Sequence, residues 1–271
     1  MQMSLCDANR AVSDEVKDFI LHVREVKEES ITDYLALQWR KLDARFNYLS
    51  MTQFTRLEES NTTGSDFDLE LWLVHRKWHL SFAIQAKKFT KPYDSYVKKL
   101  QYPDGTKSQI STLLSYATTN NKIPAYIIYS IPDSETEFLC CRKQHDGGIF
   151  LASAYEMERF ANLGPRSRVS LNAILARSNP YYCLFCCPLG ATPKYLDTYY
   201  RPPSGDSLAG DSPYRRSNEE LPSYVYRLLE RNDAGVTDTP DLRPERNEGW
   251  EKFKVVGVYD LRRQEFGLFD V

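Results

Sequence analysis

The chain has 271 residues, of which 42% are hydrophobic, 27% charged and 13% aromatic. A chain of that size buries roughly 70–75% of its unfolded surface and folds without a disulfide or metal framework. With 35 Lys+Arg against 37 Asp+Glu it carries a net charge of −2, which excludes a histone-like coat of positive charge but not a nucleic-acid enzyme with a local basic patch. The cysteines fall mostly in two tight clusters, Cys140-Cys141 and Cys183-x-x-Cys186-Cys187, rather than in a spread disulfide framework. The N-terminal segment lacks a basic start and an apolar core, and no stretch approaches the roughly 18 apolar residues of a membrane helix. The expectation is a reduced, cytoplasmic protein with no membrane partner.

Val16, Phe19, Ile20 and Val23 fall at helical spacing, with Ser13 as the expected cap. A second helix is expected from Ser30, with Ile31, Tyr34, Leu35, Trp39 and Leu42 as its apolar stripe and Asp33 completing a variant capping box. A strand is expected over 45–54 and a turn at Asn61–Gly64. Two alternating segments follow. In Asp66–Val74, Phe67, Leu69, Leu71 and Leu73 share one face; in Ser81–Lys88, Phe82, Ile84 and Ala86 do. The polar link His75–His79 predicts an antiparallel hairpin, with both histidines solvated. A short helix near Tyr96, a longer one from Ser108 and a buried apolar strand over Pro124–Ile131 come next, an order that predicts an α/β or α+β mixed sheet flanked by helices.

After Cys187 the texture changes. Eight of the 14 prolines lie between Pro188 and Pro244, so residues 188–271 are expected to be a Pro-rich extension of the 1–187 domain. That extension is expected to hold one helix (Leu221–Asn232) and a final strand near Lys252–Leu261, packed on the same domain.

The polar faces of the hairpin carry the chemistry. Asp66, Asp68 and Glu70 project opposite to the leucines, and Ser81, Gln85 and Lys87 opposite to Ile84 and Ala86. Clustered carboxylates with an amide oxygen suit Mg²⁺, and a neighbouring lysine suits a phosphate or its attacking water. The bland alternative is a solvated hairpin face, on which Asp and Lys are ordinary.

Gly64-Ser65-Asp66-Phe67 followed by Gln85-Ala86-Lys87 resembles the restriction-endonuclease-like PD-(D/E)XK superfamily in its QxK form, as in Mrr-like nucleases. The resemblance covers roughly residues 13 to 135. It implies a metal-dependent endonuclease that uses Mg²⁺ or Mn²⁺ on nucleic acid, DNA in the first place with RNA as the alternative, in a prokaryotic restriction or phage-defence setting. Asp66 and Gln85 would bind the metal, with Glu29 supporting from the preceding helix, and Lys87 would activate the water. Asp68 is the alternative to Asp66, and Glu28 the alternative to Glu29. Lys88 and Gln109 would touch nucleic acid.

Residues 86–107 hold Lys87, Lys88, Lys91, Lys98, Lys99 and Lys107 against Asp94 and Asp104, interleaved with tyrosines. This is either a backbone-phosphate track or a solvated face. The Cys183 cluster with Cys140, Cys141 and His145 has zinc-ligand types, but the segment 181–187 is apolar and its cysteines read better as small buried hydrophobes. The rival reading of the whole chain is a non-catalytic interaction or scaffold protein on the same fold, whose Pro-rich arm docks a protein partner or a second copy.

Overall fold

The computed structural model describes residues 4–46, 49–53, 67–76, 78–90, 96–101, 108–139, 147–164, 167–186, 200, 221–234 and 253–262. The chain begins with helix α1 (Leu5–His22) and helix α2 (Glu28–Phe46). The apolar stripe of α1 starts at Leu5 and continues through Ala8, Val12, Val16 and Ile20, so Ser13 is interior and Ser4 is the cap, accepting from the amide of Asp7. Ser13 is buried where α1 crosses the sheet. Its hydroxyl accepts from the Ile149 amide at 3.2 Å, and its carbonyl accepts from the Gly148 amide at 2.9 Å. A Cβ at Gly148 would lie 2.7 Å from the Lys17 backbone, so glycine is what lets helix and strand approach. Helix α2 begins two residues ahead of the expected Ser30 cap and packs on α1 through the stacked rings of Phe19 and Tyr34, 4.2 Å apart.

Seven strands form one mixed sheet: β1 (Leu49–Gln53), β2 (Phe67–Val74), β3 (His79–Lys88), β4 (Ile123–Tyr129), β5 (Ile149–Ser153), β6 (Ser178–Pro180) and β7 (Phe253–Asp260). Their order is β1-β7-β2-β3-β4-β5-β6. β2 and β3 form the antiparallel hairpin, with Leu69 opposite Ile84 and Leu71 opposite Phe82. β4 runs parallel to β3, and β7 runs parallel to β2. The last strand therefore enters the sheet between β1 and β2 rather than adding at an edge.

Helices cover both faces. On one side α1 and α2 meet Leu69, Leu71, Leu73, Phe82, Ile84, Ile127 and Val255. On the other, α3 (Tyr96–Gln101), α4 (Gln109–Thr119), α5 (Ala154–Ala161), α6 (Leu171–Leu175) and α8 (Ser223–Ala234) meet Trp72, Ala83, Tyr126, Ile128, Val256 and Val258. The molecule is thus a mixed α/β fold with a helix-flanked sheet, as its pattern predicts. Two details differ. Phe67 leaves the leucine face and packs with Tyr116 and Phe253, at ring distances of 4.9 and 5.6 Å. His79 is buried against Trp72, and His75 stacks on Trp78, so neither is the solvated turn residue expected.

The hairpin's polar face is not solvated either. Glu70 is fully buried, and Lys122, at the start of β4, is buried with it as an ion pair. The hydroxyl of Tyr224 on α8 donates to the other Glu70 oxygen at 2.8 Å, and the Lys122 ammonium sits 4.5 Å from the Trp72 ring centre. Within the apolar segment that starts at Tyr181, Cys183–Cys186 form a short helix, α7. Cys6 is disulfide-bonded, contrary to the expectation of a fully reduced chain, whereas Cys183 is buried and outside any disulfide. Most of the Pro-rich stretch, including 187–199 and 201–220, lies outside the described residues, as do Cys140, Cys141 and His145.

Breaking the buried pair strands a charge. Lys122→Met is expected to cost about 3–5 kcal/mol in urea unfolding, and the double variant Glu70→Leu/Lys122→Met to recover most of that. A loss below about 1 kcal/mol in the single variant would show that Glu70 reaches water.

Candidate functional site

The antiparallel register that sets Leu69 opposite Ile84 brings Asp68, the next residue outward on β2, beside Gln85 and Ala86 at the end of β3. The Ala86 amide donates to Asp68 Oδ2 at 2.7 Å, and the Gln85 side-chain amide nitrogen donates to the same oxygen. β4 runs parallel to β3, so Gln85 faces Tyr126 and Lys87 faces Ile128 across the ladder. The site therefore lies where β3 and β4 end and β2 begins.

Two helices deliver their first residues to this end of the sheet. Glu28 opens α2. Its Oε2 accepts from the Lys88 amide at 2.7 Å, and its Oε1 lies 3.5 Å from the Lys87 ammonium. Gln109 opens α4, and its Oε1 accepts from the Lys87 ammonium at 3.0 Å. Lys87 is buried, with its side chain 9% exposed, and is held from both layers at once. Asp68, Gln85, Lys87, Glu28 and Gln109 thus form one connected polar cluster.

Two features make this cluster incomplete. The Oε1 of Gln85 is buried with no hydrogen-bond partner among the described residues. Such an atom costs about 1–3 kcal/mol unless something polar meets it. The Asp68 carboxyl is pushed up to about 6, chiefly by burial, with the Glu28 carboxylate adding to the shift and the Ala86 hydrogen bond and Lys87 opposing it. A carboxylate held against its own desolvation next to a bare amide oxygen is the donor chemistry of a hard cation. Mg²⁺ needs only one or two protein oxygens, because it keeps several waters and takes others from a phosphate. Among the described residues no three His, Cys, Asp or Glu side chains gather at metal-binding range, so a cation here would rest on Asp68 and Gln85, with Glu28 nearby.

Of the residues named from sequence, Gln85 and Lys87 stand in the cluster. Asp66 lies outside the described residues. Glu29 is exposed on the first turn of α2, and it is Glu28 that turns to the sheet. Lys88 folds back: its ammonium donates to the Val26 carbonyl at 2.6 Å. Gln109, expected to touch nucleic acid, grips Lys87. Lys98 is exposed on α3, whereas Lys99 donates to the Lys88 carbonyl at 3.0 Å, and burial lowers its ammonium's pKa. The basic segment is thus partly turned inward; Lys91 and Lys107 lie outside the described residues. Tyr126 and Lys122 carry no motif signal in the sequence.

The match of residues 5–254 to a family profile decides the assignment. The chain belongs to DUF6615, a family of unknown function. Searches of curated proteins and of solved structures return no match. The family name carries no activity, so a functional reading rests on the site itself. Among the described residues no helix is long and apolar enough to cross a membrane.

The raised Asp68 pKa has a sign that can be tested without knowing the reaction. An unfolded aspartate titrates near 3.9, so the native state favours the protonated form. Asp68's contribution to stability is full below about pH 4 and is lost as pH rises through about 6. Asp68→Asn, which keeps an acceptor for Ala86, should raise stability at pH 8 by about 1–3 kcal/mol and leave it unchanged at pH 4. Equal effects at both pH values, read by thermal unfolding, would show that the carboxylate is not strained.

Proposed function

We propose that this protein is a metal-dependent endonuclease whose site is the Asp68–Gln85–Lys87–Glu28 cluster, acting on DNA. The observation that carries the reading is the buried, unpartnered Gln85 Oε1 beside a carboxylate pushed up to about 6, with a buried lysine one alternation further along the same strand. The arrangement of a β2 carboxylate, a QxK strand and an acidic residue on the preceding helix supports the resemblance to Mrr-like nucleases. In this reading Asp68 takes the ligand role that the sequence motif assigned to Asp66, and Glu28 the one assigned to Glu29.

Asp68 and Gln85 would hold Mg²⁺ or Mn²⁺, which supplies Lewis-acid polarisation of a phosphoryl oxygen and a more acidic water. The protein's own contribution is electrostatic and positional. Lys87, held by Gln109 and Glu28 and on the same strand as Gln85, would orient the attacking water and offset charge on the scissile phosphate. Glu28 holds that ammonium and, through the Lys88 amide, the end of β3. The exposed Lys98 offers a screened contact to the nucleic-acid backbone. A role in DNA restriction or phage defence belongs to the same proposal.

The test is incubation with plasmid DNA and with RNA in Mg²⁺, Mn²⁺ or EDTA. Cation-dependent cleavage by the wild type should fall by about 10²–10³-fold in Lys87→Ala, with nucleic-acid binding reduced only slightly. Asp68→Ala should abolish cleavage, whereas Lys98→Ala should weaken binding and lower the salt slope while leaving the rate intact. Equal, mild effects of Lys87→Ala and Lys98→Ala on both readouts would sink the nuclease reading in favour of an interaction protein. A second expectation follows from proton–metal competition at Asp68. Apparent Mn²⁺ affinity should drop as pH falls below about 6, and a pH-independent affinity would remove Asp68 from the ligand set.

A further inference from the structure

Directly across the β3–β4 ladder from Gln85 stands Tyr126. Its side chain is fully buried, and its hydroxyl has no hydrogen-bond partner among the described residues. Two adjacent strands therefore present two complementary polar atoms side by side on one face of the sheet. Gln85 offers a bare acceptor, and Tyr126 an idle donor. Each alone forfeits its hydration with nothing in return, and phenylalanine would fill the Tyr126 position without that cost. Leaving both unmet beside the carboxylates of Asp68 and Glu28 is explained if a polar guest joins them. Burial and the carboxylates of Glu28, Asp68 and Glu158 keep the phenol protonated, so it presents its hydrogen.

We propose that Tyr126 is a positioning residue of this site, whose hydroxyl donates to a buried water shared with Gln85 Oε1 and so fixes the amide that a divalent cation meets. The inference rests on the nuclease reading above. An amide has two unlike ends, and only one binds a cation. The ionised Asp68 carboxylate draws the nitrogen end toward itself. A donor on the far side, delivered through water, favours the oxygen where the nitrogen is not. Together the two contacts select one of two otherwise similar rotamers.

The test uses the full-length chain and Mn²⁺ alone, with calorimetric titration and thermal unfolding. Tyr126→Phe should leave the metal-free melting temperature unchanged or raised, because it deletes an unmet hydroxyl, and should weaken Mn²⁺ binding about tenfold. In a Gln85→Glu background both ends of the side chain are oxygens, so the same Tyr126→Phe change should leave Mn²⁺ affinity unaltered. Wild-type binding with an unchanged Tyr126→Phe affinity overturns the role of Tyr126 while the metal site stands. An equal loss in both backgrounds shows that Tyr126 does not act through Gln85, and a Tyr126→Phe protein that fails to fold shows a purely structural hydroxyl; either overturns the inference. Wild-type protein that binds no Mn²⁺ overturns the site reading and this inference together.

Discussion

Helices cover both faces of the central sheet, so a polar side chain on β2 or β3 must find its partners inside the protein. A buried ion without partners costs several kcal/mol. Strand β2 resolves this demand in two ways only two residues apart. Glu70 is met by Lys122 and Tyr224, one contact for each oxygen, and becomes part of the frame. Asp68 is met on one oxygen by the Ala86 amide and the Gln85 nitrogen, and its neighbour Gln85 keeps an oxygen in reserve. The difference separates a structural ion pair from a site, although both come from one alternating acidic strand.

The charged groups at the sheet end point the same way. Glu28 and Asp68 bring two carboxyl groups, and Lys87 brings one ammonium, which Gln109 also holds. Lys99 is pulled toward its neutral form by burial, and Lys254 spends its ammonium on Asp33 at 3.0 Å. Lys88 leaves a further ammonium at this end, so what singles out Asp68 is burial, with the Glu28 carboxylate adding to the upward shift. In the proposed reading a cation would relieve that strain more fully than a proton, because it would satisfy the amide oxygen as well. Stability is being spent locally, as is common where a site must wait for a ligand.

Much of the fold was legible in the sequence because its strands alternate cleanly or are continuously apolar. The β2–β3 hairpin, β4, α4 with its Ser108 cap, and a terminal strand all follow from period and punctuation. The QxK pair was legible for the same reason, since alternation alone puts Gln85 and Lys87 on one face. The choice between Glu28 and Glu29 was not. It depends on where α2 begins, and a helix capped by Ser30 places both glutamates ahead of it. With Glu28 as the first helical residue, its side chain swings to the sheet and Glu29 points to solvent. Ser13 misled in the same manner: it has a capping residue's chemistry but lies inside a longer stripe. Burial of the polar hairpin face could not be read from the hairpin, because α4, α5 and α8, which cover it, come later in the chain.

The position of β7 extends this dependence to the far end of the sequence. It is paired in parallel with β2, setting Leu69 opposite Val255, so the strand that carries Asp68 is flanked by β3 on one side and by the last strand on the other. The hydroxyl of Tyr259 on β7 donates to Asn9 of α1 at 2.5 Å and meets the hydroxyl of Tyr181 at 2.6 Å, all three side chains being buried. Ser50 of β1 donates to the Leu228 carbonyl of α8, which in turn carries Tyr224 to Glu70. The first helix, the hairpin and the last strand are therefore one hydrogen-bonded unit. Closing it requires contacts between residues some 250 positions apart, such as Asn9 with Tyr259, which makes folding slow by topology. The site is assembled only when that closure is complete, because Asp68 gains its place beside Gln85 from a strand that β7 holds in the middle of the sheet.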